Sequence, residues 1–396
     1  MHVKKWLGIC LALFYSCTFC ISAENVFSTN NILTEFGRKL NTNFYEIIDY
    51  DALVPIQGLP KVITSKIYYE DSKEWDAEDS LLYDEKGRLV YLNNYPDEKS
   101  LIYDGDKIIY ISRKFSTEET YVYWFFYDAY DNPEIQIVAI KDNMTGKYTL
   151  HEVERHNTTY FKDSVIVNVK SSRKYLTNSN GITKVFDRNG NIKYKSYINT
   201  RDVSVSINYI YKKFNNKYVL QKEILEAAQG NIKSTATTAY TLANDGTVLK
   251  EELIQQDAFH LYFERYLVST TFFKDSSKKV IHDSYNTSGI QKSQHYKYDK
   301  YGNNTFNADL DYKDKNSYYI SLYDYEYDSN NNWIAKIEYM QETNKALEPL
   351  NEKMKLATYT RNIIYFTKDE KYTPEKAPDI PADLKKQITE QLEKLK

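Results

Sequence analysis

One short unit recurs along the chain and constrains its fold more than any other feature: an aromatic residue, Asp or Asn, two variable residues, Gly or Asn, one more residue, then an apolar residue. It reads most clearly at Tyr83–Leu89, Phe186–Ile192 and Tyr298–Asn304. Weaker copies stand at Tyr127–Pro133, Leu242–Val248 and Tyr327–Trp333. Such a unit is a hairpin turn. The acid at the first loop position bonds its side chain to backbone two residues on, and Gly or Asn at the fourth supplies the positive φ. The turns are therefore marked by Asp84, Gly87, Asp128, Asp187, Gly190, Gly246, Asp299, Gly302 and Asp328, and Trp333 opens the last returning strand.

The flanks carry the argument into strands. Tyr323, Tyr325 and Tyr327 alternate with polar residues before the last turn, and Trp333, Ala335, Ile337 and Tyr339 alternate after it. A five-residue loop predicts the pairs Tyr327–Trp333, Tyr325–Ala335 and Tyr323–Ile337, with Lys336 on the opposite, wetter face. The same register predicts Tyr83–Leu89, Leu81–Tyr91 and Phe186–Ile192. Strands joined by short loops pair antiparallel. The expected fold is all-β: a long antiparallel meander of repeated hairpins, an extended, curled or spiral sheet, with short helices at both ends. Tyrosine, at 39 residues, suits half-exposed sheet faces, since its ring can be buried while its hydroxyl stays wet.

The ends differ from the array. Residues 1–23 read as a signal peptide, with a basic start, an apolar run from Trp6 to Ile21 and small residues at Ser22–Ala23. Export follows, to the periplasm, cell surface or extracellular space. Cys17 is the alternative lipidation point, and the membrane is a partner only if it is modified. All three cysteines (Cys10, Cys17 and Cys20) lie in this segment, so a chain cut after Ala23 has no disulfide or thiolate chemistry. Residues 24–62 carry a short amphipathic helix over Asn31–Leu40. The array runs over 63–366, a linker over 367–380, and a second amphipathic helix over 381–396 through Leu384, Ile388, Leu392 and Leu395.

The aromatic-Asp-x-x-Gly-Asn unit resembles the YD repeat of RHS-like secreted bacterial proteins, among them small exported relatives. The segment Tyr325–Tyr339, with Arg361–Phe366 as a closing strand, looks like a last repeat. The resemblance implies extended sheets curled into spirals or shells, and non-enzymatic roles in surface recognition or in enclosing a toxin. This chain is short for a shell and has no toxin tail.

Chemical signatures are sparse. His151 and His156 stand five apart, not the four that puts two zinc ligands on one helix face. Asp328, Asn330 and Asn332 begin like a calcium loop, but Trp333 occupies the glycine position and Tyr339 the bidentate acid position. Paired acids such as Glu251–Glu252 and Asp309 with Asp311 read as solvated strand faces. No catalytic residue, metal ligand or cofactor is predicted, and the near-balanced charge of -3 gives no support for nucleic acid. The expected function is a non-catalytic envelope or surface protein whose aromatic sheet face binds a glycan or an envelope protein. The alternatives are an envelope hydrolase acting on glycan through carboxylates or a tyrosine, and an outer-membrane β-barrel. Charged residues on both strand faces count against the barrel.

Overall fold

The computed structural model describes residues 57–396 apart from 71–76, 95–96, 115, 173–180, 199–202, 215–216, 230–231, 257–264, 274, 287–288 and 312–317. The signal segment, Cys17 and the helix expected over Asn31–Leu40 lie outside the described residues. The strands are β1 (Pro60–Tyr69), β2 (Ala77–Tyr83), β3 (Leu89–Asn94), β4 (Asp97–Asp104), β5 (Lys107–Lys114), β6 (Glu119–Tyr127) and β7 (Pro133–Asp142). They continue as β8 (Tyr148–Tyr160), β9 (Ser164–Ser171), β10 (Ile182–Asp187), β11 (Ile192–Ile198), β12 (Ser204–Phe214), β13 (Lys217–Gln229), β14 (Ile232–Leu242) and β15 (Val248–Gln256). The last are β16 (Arg265–Phe272), β17 (Lys278–Asn286), β18 (Gly289–Tyr298), β19 (Asn304–Asp311), β20 (Tyr318–Tyr327), β21 (Trp333–Thr343) and β22 (Met354–Tyr365). One helix, α1 (Ala382–Lys394), follows.

Each strand pairs antiparallel with the next, and β22 pairs with β1 through Ile63↔Ile363 and Ile67↔Tyr359. The meander is therefore a closed 22-strand barrel with no free edge. At strand spacings near 4.8 Å and an ordinary tilt, such a ring is about 40 Å across. The repeat turns all lie at one end of the barrel. The chain enters β1 and leaves β22 at that same end, while the other end carries the longer connections.

Side chains alternate between the two faces of the wall. Following the pairs around the ring, the register climbs towards the longer connections, which is the stagger that closure requires. Because barrel strands tilt with a right hand, this drift and the direction of the Asp84 and Asp128 amides place Ile63, Leu81, Lys99, Ile111 and Tyr123 inside. Burial agrees. In β9, Val165, Val167 and Val169 are buried on that face while Ile166, Asn168 and Lys170 on the other are only half-buried. The outer face is covered in two places. Leu384, Ile388 and Leu395 pack on Ile102, Tyr110, Val122, Trp124 and Val153, and Leu347 covers Phe306 and Ile320.

The closing pairs Tyr83↔Leu89, Phe186↔Ile192 and Tyr327↔Trp333 stand as the five-residue loop dictates. One residue further the register slips. Leu81 faces Leu92, Tyr325 faces Lys336 and Tyr323 faces Glu338, correcting the expected Leu81–Tyr91, Tyr325–Ala335 and Tyr323–Ile337. The cause is a β-bulge, with Val90, Lys193 or Ile334 as the extra residue, just after the turn in every copy of the unit. Lys336 consequently shares the inner face with Trp333. Its ammonium sits 3.5 Å from the Tyr359 ring centroid and 5.3 Å from that of Tyr323. Lys336→Ala is expected to cost about 1 kcal/mol in urea unfolding, the scale of a shielded cation–π contact, against about 3 kcal/mol for Trp333→Ala. A loss of only a few tenths at Lys336 would put that residue back on a solvated face.

Candidate functional site

The repeat turns account for most of the marked residues. In each of the loops at Asp84, Asp128, Asp187, Asp299 and Asp328, Oδ1 accepts the amides two and four residues on, at 2.8–3.0 Å. The fourth position takes positive φ at Gly87, Gly190, Gly246 and Gly302, and also at Asp131 and Asn331. In the Leu242 copy Ala243 holds the acid's place, and Asp245 instead accepts the Thr247 amide.

The second carboxylate oxygen links repeats. Tyr160 at the end of β8 donates its hydroxyl to Asp128 Oδ2 at 2.5 Å, Tyr327 at the end of β20 donates to Asp299, and Tyr365 at the end of β22 donates to Asp328. The loop asparagine completes each triangle: the side-chain amides of Asn132, Asn303 and Asn332 donate to those same hydroxyls at 2.6, 3.2 and 2.7 Å. Burial and then the adjacent carboxylate hold the hydroxyls of Tyr160, Tyr327 and Tyr365 above the ordinary phenol range. The adjacent Tyr-Asp of one repeat thus serves two neighbours: Tyr327 caps the turn behind it, and Asp328 is capped by the tyrosine ahead. These links span 28 to 37 residues and leave no local pattern around Tyr160 or Tyr365.

The calcium-like start at Asp328 is occupied by this network, and Asn332 also bonds the Gln57 backbone at 2.7 and 2.8 Å. His156 lies buried on the inner face against Glu154 at 2.5 Å, while His151 sits at a bulge edge-on to Tyr121. Among the described residues no three ligating side chains gather. Ser293 on β18 bonds Asp283 Oδ1 at 2.5 Å and His295 Nε2 at 2.8 Å. This is the wrong order for a nucleophile. The serine proton is directed at the aspartate rather than the imidazole, Nδ1 of His295 has no partner, and Ser293 is 1% exposed.

The densest chemistry lies on the inner face of β20–β22 and β2. Tyr323, Tyr325, Trp333 and Tyr359 line it, with Trp333 edge-on to Tyr325 at 6.2 Å. Glu338 accepts from Tyr359 at 2.7 Å and from Tyr323 at 3.4 Å. Arg361 lies over Trp333, its guanidinium carbon 3.5 Å from the ring centroid, with Tyr83, Tyr325 and Asp79 in its field. Burial lowers Arg361 to about 10 and raises Tyr83 to about 12.

A second inner-wall feature is acidic. Glu251 pairs across the wall with Tyr240, which also feels Glu223 and Tyr211. Burial raises Glu251 to about 7 from the carboxylate value of 4.5. A carboxyl raised by folding contributes stability that is complete below about pH 4.5 and is lost as pH climbs through 7, at up to about 1.4 kcal/mol per pH unit. His282, lowered by burial to about 4, acts oppositely and only below about pH 6.5. Glu251→Gln is therefore expected to be more stable than the parent at pH 8 and to lose the decline between pH 6.5 and 7.5. Urea unfolding at three pH values checks this, and an unchanged slope would place Glu251 in water.

No protein-family model matches the chain, and no curated protein matches it. Among solved structures it is similar to a porin-like protein from Bacteroides uniformis, at 9% identity and a TM-score of 0.27, covering 78% of this chain and 99% of that one. It is also similar to a triple mutant of the Rhodopseudomonas blastica porin, at 11% identity and a TM-score of 0.21, covering 77% of this chain and 99% of the porin. The barrel stands on its own pairing.

Proposed function

We propose that the protein is an exported, non-catalytic barrel that binds a saccharide against its aromatic inner wall. The observation that carries this reading is the run of Tyr323, Tyr325, Trp333 and Tyr359 on adjacent strands, a set of ring faces of the kind that stacks on sugar rings. Charged residues on both faces support a barrel standing in water. Lys66, Arg155, Lys222, Glu252 and Asp283 lie outside, and Lys99, Glu154, Lys195, Glu223 and Arg361 inside. Each charge at the middle of a lipid-facing strand costs up to about 2–4 kcal/mol. Titration of the exported protein with a panel of oligosaccharides tests the reading. Quenching of tryptophan emission without new reducing ends is expected, and release of reducing ends would replace it with the hydrolase.

Closure favours a second reading, an outer-membrane barrel. Its strand number is even, and every connection longer than five residues lies at one end, opposite the repeat turns, as in spanning barrels. Flotation with membranes after a carbonate wash is the outcome that reading requires. The water-standing barrel stays in the supernatant.

A further inference from the structure

We propose that Arg361 is the recognition point for an anionic substituent, a carboxylate or sulfate, on a saccharide held against Trp333, Tyr83 and Tyr325. The inference rests on the inner wall being a saccharide surface and adds the charge class of the ligand.

Three observations converge on this position. Arg361 occupies the inner face of β22 beside β1, in the same cross-strand row as Ser65 and Asp79, so it belongs to the aromatic wall. Its Nε is buried without a hydrogen-bond partner, and among the described residues the guanidinium has no ion pair. Asp79 acts on it only through space, and burial holds the Asp79 carboxyl above its ordinary range. Glu338, on the same wall, is already engaged by Tyr359 and Tyr323. A guanidinium taken largely out of water with no bonded counter-charge is unfavourable unless an anion completes it.

The geometry also selects the kind of anion. Trp333 covers the guanidinium from one side, and a guanidinium carries the paired N–H donors that a planar carboxylate or a sulfate accepts through two parallel bonds. The neighbouring Tyr325 ring offers an adjacent surface for the sugar that bears the charge. Lys336, stacked on Tyr359, adds positive potential to the same stretch of wall.

The test uses the full exported chain and three probes measured by calorimetry: an oligogalacturonate, its fully methyl-esterified neutral counterpart, and a sulfated galactan oligosaccharide. The expected result is at least tenfold tighter binding of one or both anionic probes than of the neutral one, weakened by added salt. Preference between the two anions identifies the substituent. Arg361→Gln should abolish that advantage, and Arg361→Lys should restore only part of it, since lysine lacks the planar fork. Equal affinity for charged and neutral probes overturns the proposal while leaving saccharide binding intact. So does a folded Arg361→Gln that keeps the advantage, which makes the stack purely structural. Binding of none of the three removes this proposal, and a neutral and acidic panel without any binder removes the saccharide reading as well. The wild-type comparison needs no variant, so a misfolded Arg361→Gln does not blunt the test.

Discussion

Leu384→Ala is expected to cost about 3 kcal/mol, on the scale of Trp333→Ala. Leu384 is fully buried at 0% exposure, on the face of α1 that covers the outer wall. Its neighbours Ile102, Val122, Trp124 and Ile137 would otherwise form an apolar patch on a surface that elsewhere carries charge. The tail is also tied at intervals. Lys61 pairs with Glu370, the Tyr372 amide donates to Glu85 at 3.0 Å, and the Trp124 indole donates to the Pro378 carbonyl at 2.9 Å. The measurement is urea unfolding followed by tryptophan emission, with Lys386→Ala, exposed on the opposite face, as the control expected within about 0.5 kcal/mol. Equal stability of the two variants would mean that α1 does not seal the wall.

The second large effect is expected at the seam. Asp328→Ala deletes the acceptor of the Asn330 and Asn332 amides and of the Tyr365 hydroxyl, leaving three donors unsatisfied at the place where β22 closes on β1. A loss of about 2–3 kcal/mol is expected, together with faster amide exchange at Ile363 and Ile364 than at strands on the far side of the ring. Asp328→Asn keeps Oδ1 and should lose less. Asp245→Ala, at an exposed turn with one bond, should stay within about 1 kcal/mol. If Asp245→Ala costs as much as Asp328→Ala, the tyrosine link between repeats adds nothing to turn chemistry alone.

Turns are local, and that is why they were legible. An aspartate bonding amides two and four residues ahead, and a glycine or asparagine at positive φ, are decided within five residues, so Asp84–Arg88 and Asp328–Asn332 can be read from the chain. The alternation of apolar and polar residues declares strands for the same reason. The bulge after each turn is less visible, because Val90 and Ile334 look like ordinary strand residues, and one extra residue moved Lys336 from the expected outer face to the inner one. Period-two patterning also cannot say which way a sheet curves.

The sequence by itself determined the hairpin unit, the antiparallel meander and the apolar face of the terminal helix, since each depends on contacts within or between adjacent strands or within one helical turn. Only the tertiary structure decided that the meander closes. The pairing of Ile63 with Ile363 joins residues at opposite ends of the array, and no local propensity encodes a contact at that separation. Closure then settled what the residues face. It set Arg361 and Trp333 on a concave wall beside Tyr83, and it laid the helix across Trp124, because a ring brings the end of its last strand back to the turns of its first.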